Sequence, residues 1–168
     1  MISVVIPTRN AAPALAATLA SLVRAALEGL IKEVIVVDAG STDSTLEVAD
    51  DAGARILRGE GTAAGCAAAR ADWLLLLEPG VALSPDWETA AARHMAGAWD
   101  RAGHFRRSRD GRRPSWRLGL KGDEGLLVSR RLYDEVGGGE GRALLRRLRG
   151  RLRRLDALAT PPTARSGR

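Results

Sequence analysis

Four groups of polar and small residues follow short apolar runs in the first half of the chain. They are residues 7–10, 38–43, 58–61 and 78–80, with the sequences PTRN, DAGSTD, RGEG and EPG. Their carboxylates include Asp38, Asp43 and Glu78, and a carboxylate can accept hydrogen bonds from the N–H and hydroxyl groups of a ligand. Ligands of open α/β sheets bind where the carboxyl ends of parallel strands meet. We therefore expect these groups to meet at one edge of a sheet.

Strand patterns lie directly before these groups. Runs rich in apolar and β-branched residues occupy positions 2–6, 33–37 and 73–77, and a weaker run occupies positions 54–57. Because the runs are apolar at consecutive positions, they predict strands that are buried on both faces of a sheet.

Helical patterns alternate with these strands. Apolar residues recur on one helical face between Pro13 and Gly29, and further helices are predicted at about 44–51, 62–70 and 86–95. Asp43 and Ser44 are both placed to cap the second helix. The alternation predicts an α/β fold with right-handed crossovers, in which a mostly parallel sheet lies between helices in a three-layer α/β/α arrangement.

The second half of the chain is less regular. Residues 98–116 are polar and Arg-rich with a turn signal at 110–111, so we expect a loop or an irregular hairpin there. A short strand at 125–128 and a helix that Ser129 caps follow, and the glycines at 137–139 end this helix.

Residues 142–155 combine a leucine stripe with seven arginines. The leucines at positions 144, 145, 148, 152 and 155 have helical spacing and predict a strongly cationic amphipathic helix. Its leucine face could enter an anionic membrane surface or could pack on the sheet. We expect residues 159–168 to form a flexible tail, which leaves residues 1–158 as a single domain.

Charge is divided unevenly along the chain. Residues 1–100 carry 7 basic and 13 acidic side chains and residues 101–168 carry 19 and 7, so the two parts have net charges of −6 and +12. A basic segment is typical of nucleic-acid binding, but 24 of the 26 basic residues are Arg, a bias that reflects base composition. Since no known nucleic-acid-binding module is present, we do not expect a nucleic acid partner.

Composition excludes several other classes. No apolar run approaches the roughly 20 residues that span a bilayer, and the first residues lack the basic region of a signal peptide, so we expect a cytoplasmic protein. Cys66 is the only cysteine, which excludes an internal disulfide and a cysteine-based metal site. His94 and His104 have no third ligand beside them, so a histidine metal site is not expected.

Two segments carry a family resemblance. Residues 4–10, VVIPTRN, and residues 33–45, EVIVVDAGSTDST, resemble the start of family 2 glycosyltransferases, which have a GT-A fold and bind a nucleotide sugar. The likeness continues through residues 67–77 and resumes at residues 122–128, which resemble the Gly-Asp-Gln segment of a compact bacterial subset. It covers residues 2–97 well and residues 121–150 in outline.

The resemblance implies a nucleotide-binding role for six residues of the first half. The residues implied to line the pocket of a nucleotide-diphospho-sugar donor are Pro7, Thr8, Asn10, Asp38, Ser41 and Asp43. Asp38 is implied to hydrogen-bond the base or the ribose, whereas Asp43 could equally serve as a helix cap. The implied activity is transfer of a sugar to an acceptor that the sequence does not identify. In the single domain, residues 1–97 would form the nucleotide-sugar-binding part and residues 98–158 the acceptor-side part.

The chain departs from the family at two acidic motifs. The family holds Mg²⁺ or Mn²⁺ against the diphosphate with an Asp-any-Asp motif, but here Glu78 is the single acid and Gly80 replaces the second. The Glu-Asp motif that supplies the general base aligns with Glu140 and Gly141, so Glu140 and Asp123 are the candidate bases. Two hypotheses follow: a transferase, and a degenerate domain that binds a nucleotide or a protein partner without turnover.

A dinucleotide-dependent oxidoreductase is the alternative that the fold class offers. Gly59, Gly61 and Gly65 form a glycine cluster between a predicted strand and helix. A dinucleotide fingerprint belongs in the first strand-to-helix turn, however, and residues 7–12 contain no glycine. The sequence therefore favours the glycosyltransferase interpretation.

Overall fold

The computed structural model describes residues 1–59, 61–107 and 124–160. The strands in these ranges are β1 (Ile2–Thr8), β2 (Ile31–Asp38), β3 (Arg55–Arg58), β4 (Trp73–Leu77), β5 (Ala82–Leu83), β6 (Ala102–Arg107), β7 (Glu124–Ser129) and β8 (Leu152–Thr160). The helices are α1 (Ala12–Ala20), α2 (Val23–Leu27), α3 (Thr45–Asp51), α4 (Thr62–Ala68), α5 (Trp87–Met95), α6 (Arg130–Glu135) and α7 (Gly141–Arg147).

All of these strands belong to one sheet with the order β3-β2-β1-β4-β7-β6-β8-β5. Strands β1 to β4 are parallel, and β7 runs antiparallel to both β4 and β6. Since β6 is parallel to β8, strands β1 to β4, β6 and β8 all point the same way. Their carboxyl ends lie at one side of the sheet, which we call the carboxyl edge.

Helices bury both faces of the sheet. On one face, Trp73, Leu75 and Leu77 of β4 pack in a cluster with residues of α1, α2, α3 and α5. On the other face, Leu74 and Leu76 pack with residues of α4, α6 and α7. Successive side chains of a strand point to opposite faces, and here both sets are apolar and buried. The predicted α/β fold with a mostly parallel sheet flanked by helices is confirmed.

The prediction of a cationic helix over residues 142–155 is wrong. Helix α7 ends at Arg147, and after Gly150, which has a φ of +85°, the chain forms β8. Buried residues in β8 alternate at Leu155, Ala157 and Ala159, a period that suits a strand paired with β6. The last two residues of β8 therefore belong to the sheet and not to the predicted tail, while residues 161–168 lie outside the described ranges.

The leucine face of α7 packs on the sheet. Leu144 and Leu148 are fully buried in the same cluster as Leu74, so they cannot enter a membrane. The neighbouring Arg146 and Arg149 are exposed. In the part of the chain that the structure describes, no helix combines the length and the apolar character needed to cross a bilayer.

Two further predictions need correction. For residues 98–116 the sequence predicts a loop or an irregular hairpin, whereas the described part contains the regular strand β6, whose pairing with β7 and β8 is not visible in the local pattern. The single helix predicted between Pro13 and Gly29 is instead α1 and α2, separated at Ser21. The Ser21 hydroxyl donates to the Thr18 carbonyl (2.7 Å), a local hydrogen bond that competes with the helix.

Candidate functional site

Two loops lie side by side at the carboxyl edge, one after β1 and one after β2, and Asn10 joins them. The Asn10 backbone N–H donates to Ser41 Oγ (2.9 Å), and Asn10 Oδ1 accepts from the Thr42 N–H (2.8 Å). Asn10 has a φ of +49°, a left-handed conformation that asparagine adopts more readily than most residues. The residue type therefore suits the backbone conformation that brings the two loops together.

A second pair of hydrogen bonds joins the start of α1 to the start of α3. The Ala11 N–H donates to Thr45 Oγ1 (2.8 Å), and the Ala12 N–H donates to Asp43 Oδ2 (3.3 Å). Asp43 also accepts from the N–H and the hydroxyl of Thr45, and the hydroxyl contact holds the pKa of Asp43 below its ordinary value. Asp43 thus stabilises the starts of two helices, which agrees with its alternative interpretation as a cap.

Asp38 lies at the end of β2 and is only 2% exposed. Its carboxylate accepts from the N–H groups of Gly40 (3.1 Å) and Ser41 (3.0 Å) and from the Ser41 hydroxyl. Burial acts to raise the pKa of Asp38, but these hydrogen bonds and the charge of Arg58 outweigh burial and hold the pKa below its ordinary value. Asp38 is therefore ionised at neutral pH, and most of its acceptor capacity stabilises its own loop.

Pro7 and Thr8 end β1 beside Asp38. Thr8 is buried and pairs with Asp38 across the parallel strands, and its carbonyl accepts from the Ala39 N–H (2.9 Å). Pro7 is partly exposed at the same edge. The structure thus brings together all six residues that the resemblance assigns to a nucleotide pocket, and their roles toward a nucleotide stay a prediction.

Glu78 follows β4 at the carboxyl edge and is partly buried. The loop after it turns at Gly80, which has a φ of +90° and whose N–H lies near the Ala14 carbonyl (2.9 Å) and Thr18 Oγ1 (2.8 Å) of α1. Only glycine adopts this φ without strain, so an aspartate in this backbone conformation would be strained.

The described residues do not fit a tightly held divalent cation. Within residues 1–59, 61–107 and 124–160, no three His, Cys, Asp or Glu side chains gather as a metal site. Asp38 and Asp43 lie at the correct edge, but their oxygens accept hydrogen bonds from the surrounding loops. A hard cation needs several oxygen ligands, and at this edge Glu78 is the carboxylate that the family pattern assigns to the cation.

Glu140 is exposed and directly precedes α7. Its Oε2 accepts from the Ala63 N–H (3.3 Å) at the start of α4, and a Cβ at Gly61 would lie 2.3 Å from the same oxygen. Because α4 starts at the carboxyl edge, the structure places this candidate base at the same edge as the two hydrogen-bonded loops. It also gives the carboxylate a structural contact.

Tyr133 and Arg147 hold the glycine turn 137–139 that precedes Glu140. The Tyr133 hydroxyl donates to the last carbonyl of the turn (2.9 Å), and the Arg147 guanidinium donates to the first two carbonyls (2.8 and 2.7 Å). Burial raises the pKa of Tyr133, so its hydroxyl stays protonated. Sequence reasoning missed both residues, since Arg147 is one arginine among many and nothing local shows that it bonds the turn.

The other candidate base, Asp123, lies outside the described residues. Its neighbour Glu124 pairs with Leu77, the residue before Glu78. Strand β7 therefore begins beside the end of β4, at the carboxyl edge.

Solved structures of similar fold are glycosyltransferases. The glucosyl-3-phosphoglycerate synthase of Mycobacterium tuberculosis, solved with Mn²⁺, UDP and glucosyl-3-phosphoglycerate, matches with a TM-score of 0.75 and 21% identity over 100% of this chain and 73% of that chain. TarS of S. aureus, solved with UDP-GlcNAc, matches with a TM-score of 0.76 and 15% identity over 99% of this chain and 61% of that chain. At these identities the likeness establishes the fold.

This fold, with its hydrogen-bonded loops at the carboxyl edge, defines a protein of the GT-A class. Residues 3–149 match the sequence profile of glycosyl transferase family 2. Because the match spans most of the chain, the chain belongs to glycosyl transferase family 2, and the resemblance of residues 4–10 and 33–45 to that family is confirmed. By sequence alone, no individual curated protein matches the chain.

Proposed function

We propose that the protein binds a nucleotide-diphospho-sugar at the carboxyl edge and transfers its sugar to an acceptor hydroxyl. The observation that carries this proposal is the hydrogen-bonded pair of loops after β1 and β2, which gathers Thr8, Asn10, Asp38 and Ser41 in one place. Family membership supports a donor of this class. Since the two GT-A neighbours described above were solved with UDP or a UDP-sugar, UDP is the nucleotide to test first.

The two loops divide the work of binding. Pro7 and Thr8 supply the end of β1 against which the nucleoside packs, and Asn10 fixes the distance between the loops. Asp38 is largely committed to the N–H groups of its own loop, so its main contribution is to hold that loop in shape. A loop that is already ordered loses little conformational freedom when the donor binds.

Isothermal titration calorimetry with UDP and with GDP, each in EDTA and in Mn²⁺, tests the proposal. We expect at least one nucleotide to bind and Asp38→Ala to weaken that binding. Asp50→Ala removes an exposed carboxylate of α3 and is the matched control, which leaves the affinity unchanged. If neither nucleotide binds under any condition, the pocket is assigned wrongly.

Transfer also requires a base that takes the proton of the acceptor hydroxyl as the nucleoside diphosphate leaves. We propose Glu140 and Asp123 for this role. Glutamine keeps an oxygen that accepts from the Ala63 N–H but cannot act as a base. If Glu140 is the base, Glu140→Gln and Glu140→Ala both lower turnover by roughly a hundredfold or more while UDP binding persists. If Glu140→Gln keeps most of the turnover, the carboxylate serves only to hold α4 and Asp123 is the base to examine.

A second candidate function is nucleotide binding without turnover. Two glycines favour this second function, because the family pattern has acids at both positions. They are Gly141 and Gly80, and the backbone conformation of Gly80 would be strained for an aspartate. Release of UDP from UDP-glucose and UDP-GlcNAc, measured with a panel of hydroxyl acceptors, distinguishes the two functions. Nucleotide binding with no release above the uncatalysed rate supports this second function.

The family resemblance implies Mg²⁺ or Mn²⁺, and Glu78 is the residue that would hold it. When bound, such a cation would stabilise the charge that develops on the leaving diphosphate. The described residues supply too few free oxygen ligands for it, so no step of this proposal passes through the cation.

We also propose that the exposed arginines of the acceptor-side part bind an anionic membrane surface through charge alone. Arg142, Arg146 and Arg149 are exposed, whereas the leucines between them are not. Sedimentation with phosphatidylglycerol vesicles should show binding that falls as salt rises, because salt screens exposed charges. Absence of binding at low salt would remove the membrane from the proposal.

A further inference from the structure

We infer that two arginine side chains, Arg9 and Arg58, neutralise the donor diphosphate in place of backbone N–H groups or a coordinated cation. The inference rests on the proposed function, since it concerns how the same site binds a nucleoside diphosphate. Phosphates bound by α/β proteins meet loop N–H groups, a metal ion or cationic side chains.

Backbone N–H groups of the two loops are already used within the protein. The N–H groups of residues 10–12 donate to side chains of the loop after β2 and of the first residue of α3. The N–H groups of residues 39–42 donate to the Thr8 carbonyl, to Asp38 and to Asn10. A phosphate group that met these stretches would have to break hydrogen bonds that hold the loops together. The start of α1, where an anion would otherwise be favoured, is occupied by Asp43.

Carboxylates of the carboxyl edge are poorly placed to hold a cation. Asp38 and Asp43 both accept from two N–H groups and a hydroxyl. Gly80 occupies the position of a second metal-binding acid, and its φ of +90° disfavours any residue with a side chain. Within residues 1–59, 61–107 and 124–160, the oxygen ligands present therefore do not fit the cation that the family pattern implies.

Arg9 and Arg58 remain as charged groups suited to a diphosphate. Arg9 directly follows β1 and Arg58 ends β3, and both are exposed. Strand β2 lies between β1 and β3, so their ends are about 10 Å apart at the usual strand spacing. Two long side chains can meet over the loop after β2 at this distance, and a guanidinium binds phosphate oxygens through two parallel hydrogen bonds.

Among the described residues, neither Arg9 nor Arg58 forms an ion pair. The charge of Arg58 does reach Asp38 and lowers its pKa, which places the guanidinium near the loop after β2. Asp38 and Asp43 are ionised but hold their own loops through hydrogen bonds, so Arg9 and Arg58 keep guanidinium N–H groups that can bind phosphate oxygens.

Titration calorimetry with UDP and with uridine on the full chain tests the inference. The variants are Arg9→Gln, Arg58→Gln and the double variant, all at exposed positions. The control is Arg93→Gln. Arg93 is exposed and lies near the end of α5, which leads to the amino end of β6 and thus to the side of the sheet opposite the carboxyl edge. We expect UDP to bind equally well in EDTA and in Mn²⁺. Each single variant should lower the UDP affinity roughly tenfold, because hydrogen bonds to charged groups are the stronger kind.

The remaining outcomes separate this inference from the proposed function. Uridine has no phosphate, so its affinity should be the same in all variants, and the control should bind UDP like the unaltered protein. If UDP binds only with Mn²⁺, or if the arginine variants bind it normally, the arginines do not neutralise the diphosphate while the donor site stands. If UDP does not bind under any condition, the proposed function fails and this inference fails with it.

Discussion

Replacing Asp38 by alanine tests whether the loop after β2 depends on its buried carboxylate. Asp38 is 2% exposed and accepts from the N–H groups of Gly40 and Ser41 and from the Ser41 hydroxyl. The hydroxyl can turn toward water in the variant because Ser41 is partly exposed, so the two N–H groups decide the cost. Each hydrogen bond to a charged group contributes about 1.5 kcal/mol at the low end of the measured range, so we expect a loss of about 3 kcal/mol in the free energy of unfolding.

Urea unfolding followed by circular dichroism measures this loss. Asp38→Asn keeps one acceptor oxygen and should fall between Asp38→Ala and the unaltered protein. Asp50→Ala removes an exposed carboxylate and should change the free energy of unfolding by less than about 0.5 kcal/mol. In calorimetry with UDP, Asp38→Ala should weaken binding by about 1 to 3 kcal/mol, because the loop that it holds is the proposed donor site. The reasoning is refuted if Asp38→Ala unfolds at the same urea concentration as Asp50→Ala.

Three further changes test other parts of the molecule. Tyr133→Phe removes the hydroxyl that holds the glycine turn, and urea unfolding should show a loss of about 1 kcal/mol in the free energy of unfolding. Amide hydrogen exchange in the turn should become faster, and an unchanged exchange rate would contradict this role of Tyr133. Gly65→Ala places a carbon 2.3 Å from Val5 Cγ1, so α4 must move away from the sheet. Thermal unfolding should show a loss of about 1 to 3 kcal/mol in the free energy of unfolding, and an unchanged value would mean that α4 packs loosely. Asp38 and Asp43 have pKa values below their ordinary 3.8, so their stabilisation is present above that pH and is lost as the pH falls through the lower folded values. Stability measured in urea should therefore fall more steeply in acid for the unaltered protein than for Asp38→Ala, and parallel curves would contradict the assignment.

The first half of the fold, together with β7 and α6 of the second half, could be predicted because their signals are local. Residues 33–37 and 73–77 are apolar on both strand faces, and such runs have few alternatives in a chain with helical patterns between them. Ser129 was recognisable as a cap from its position, and its side chain does accept from the Leu132 N–H (3.1 Å). Polar residues after strand ends located the candidate site, since parallel strands bring those ends together.

The rest of the second half could not be predicted because its signals are not local. Leucines up to position 155 have helical spacing, and only the break at Gly150 and the pairing with β6 turn residues 152–160 into a strand. The contact of Glu140 with the Ala63 N–H joins residues 77 positions apart, and no sequence pattern reports it. The same holds for the contacts of Arg147, whose partners are carbonyl groups that every residue possesses.

Strand β4 lies between β1 and β7, so it has a hydrogen-bonded neighbour on each side. Its residues are at most 1% exposed. If the acidic part of the chain were cut from the basic part, β4 would lose β7 and become an open edge strand, and the sheet face that packs with α6 and α7 would be uncovered. Such an edge pairs with other copies of itself and leads to aggregation. The donor-site loops therefore cannot be isolated by truncation, and the oppositely charged parts must be produced as one chain.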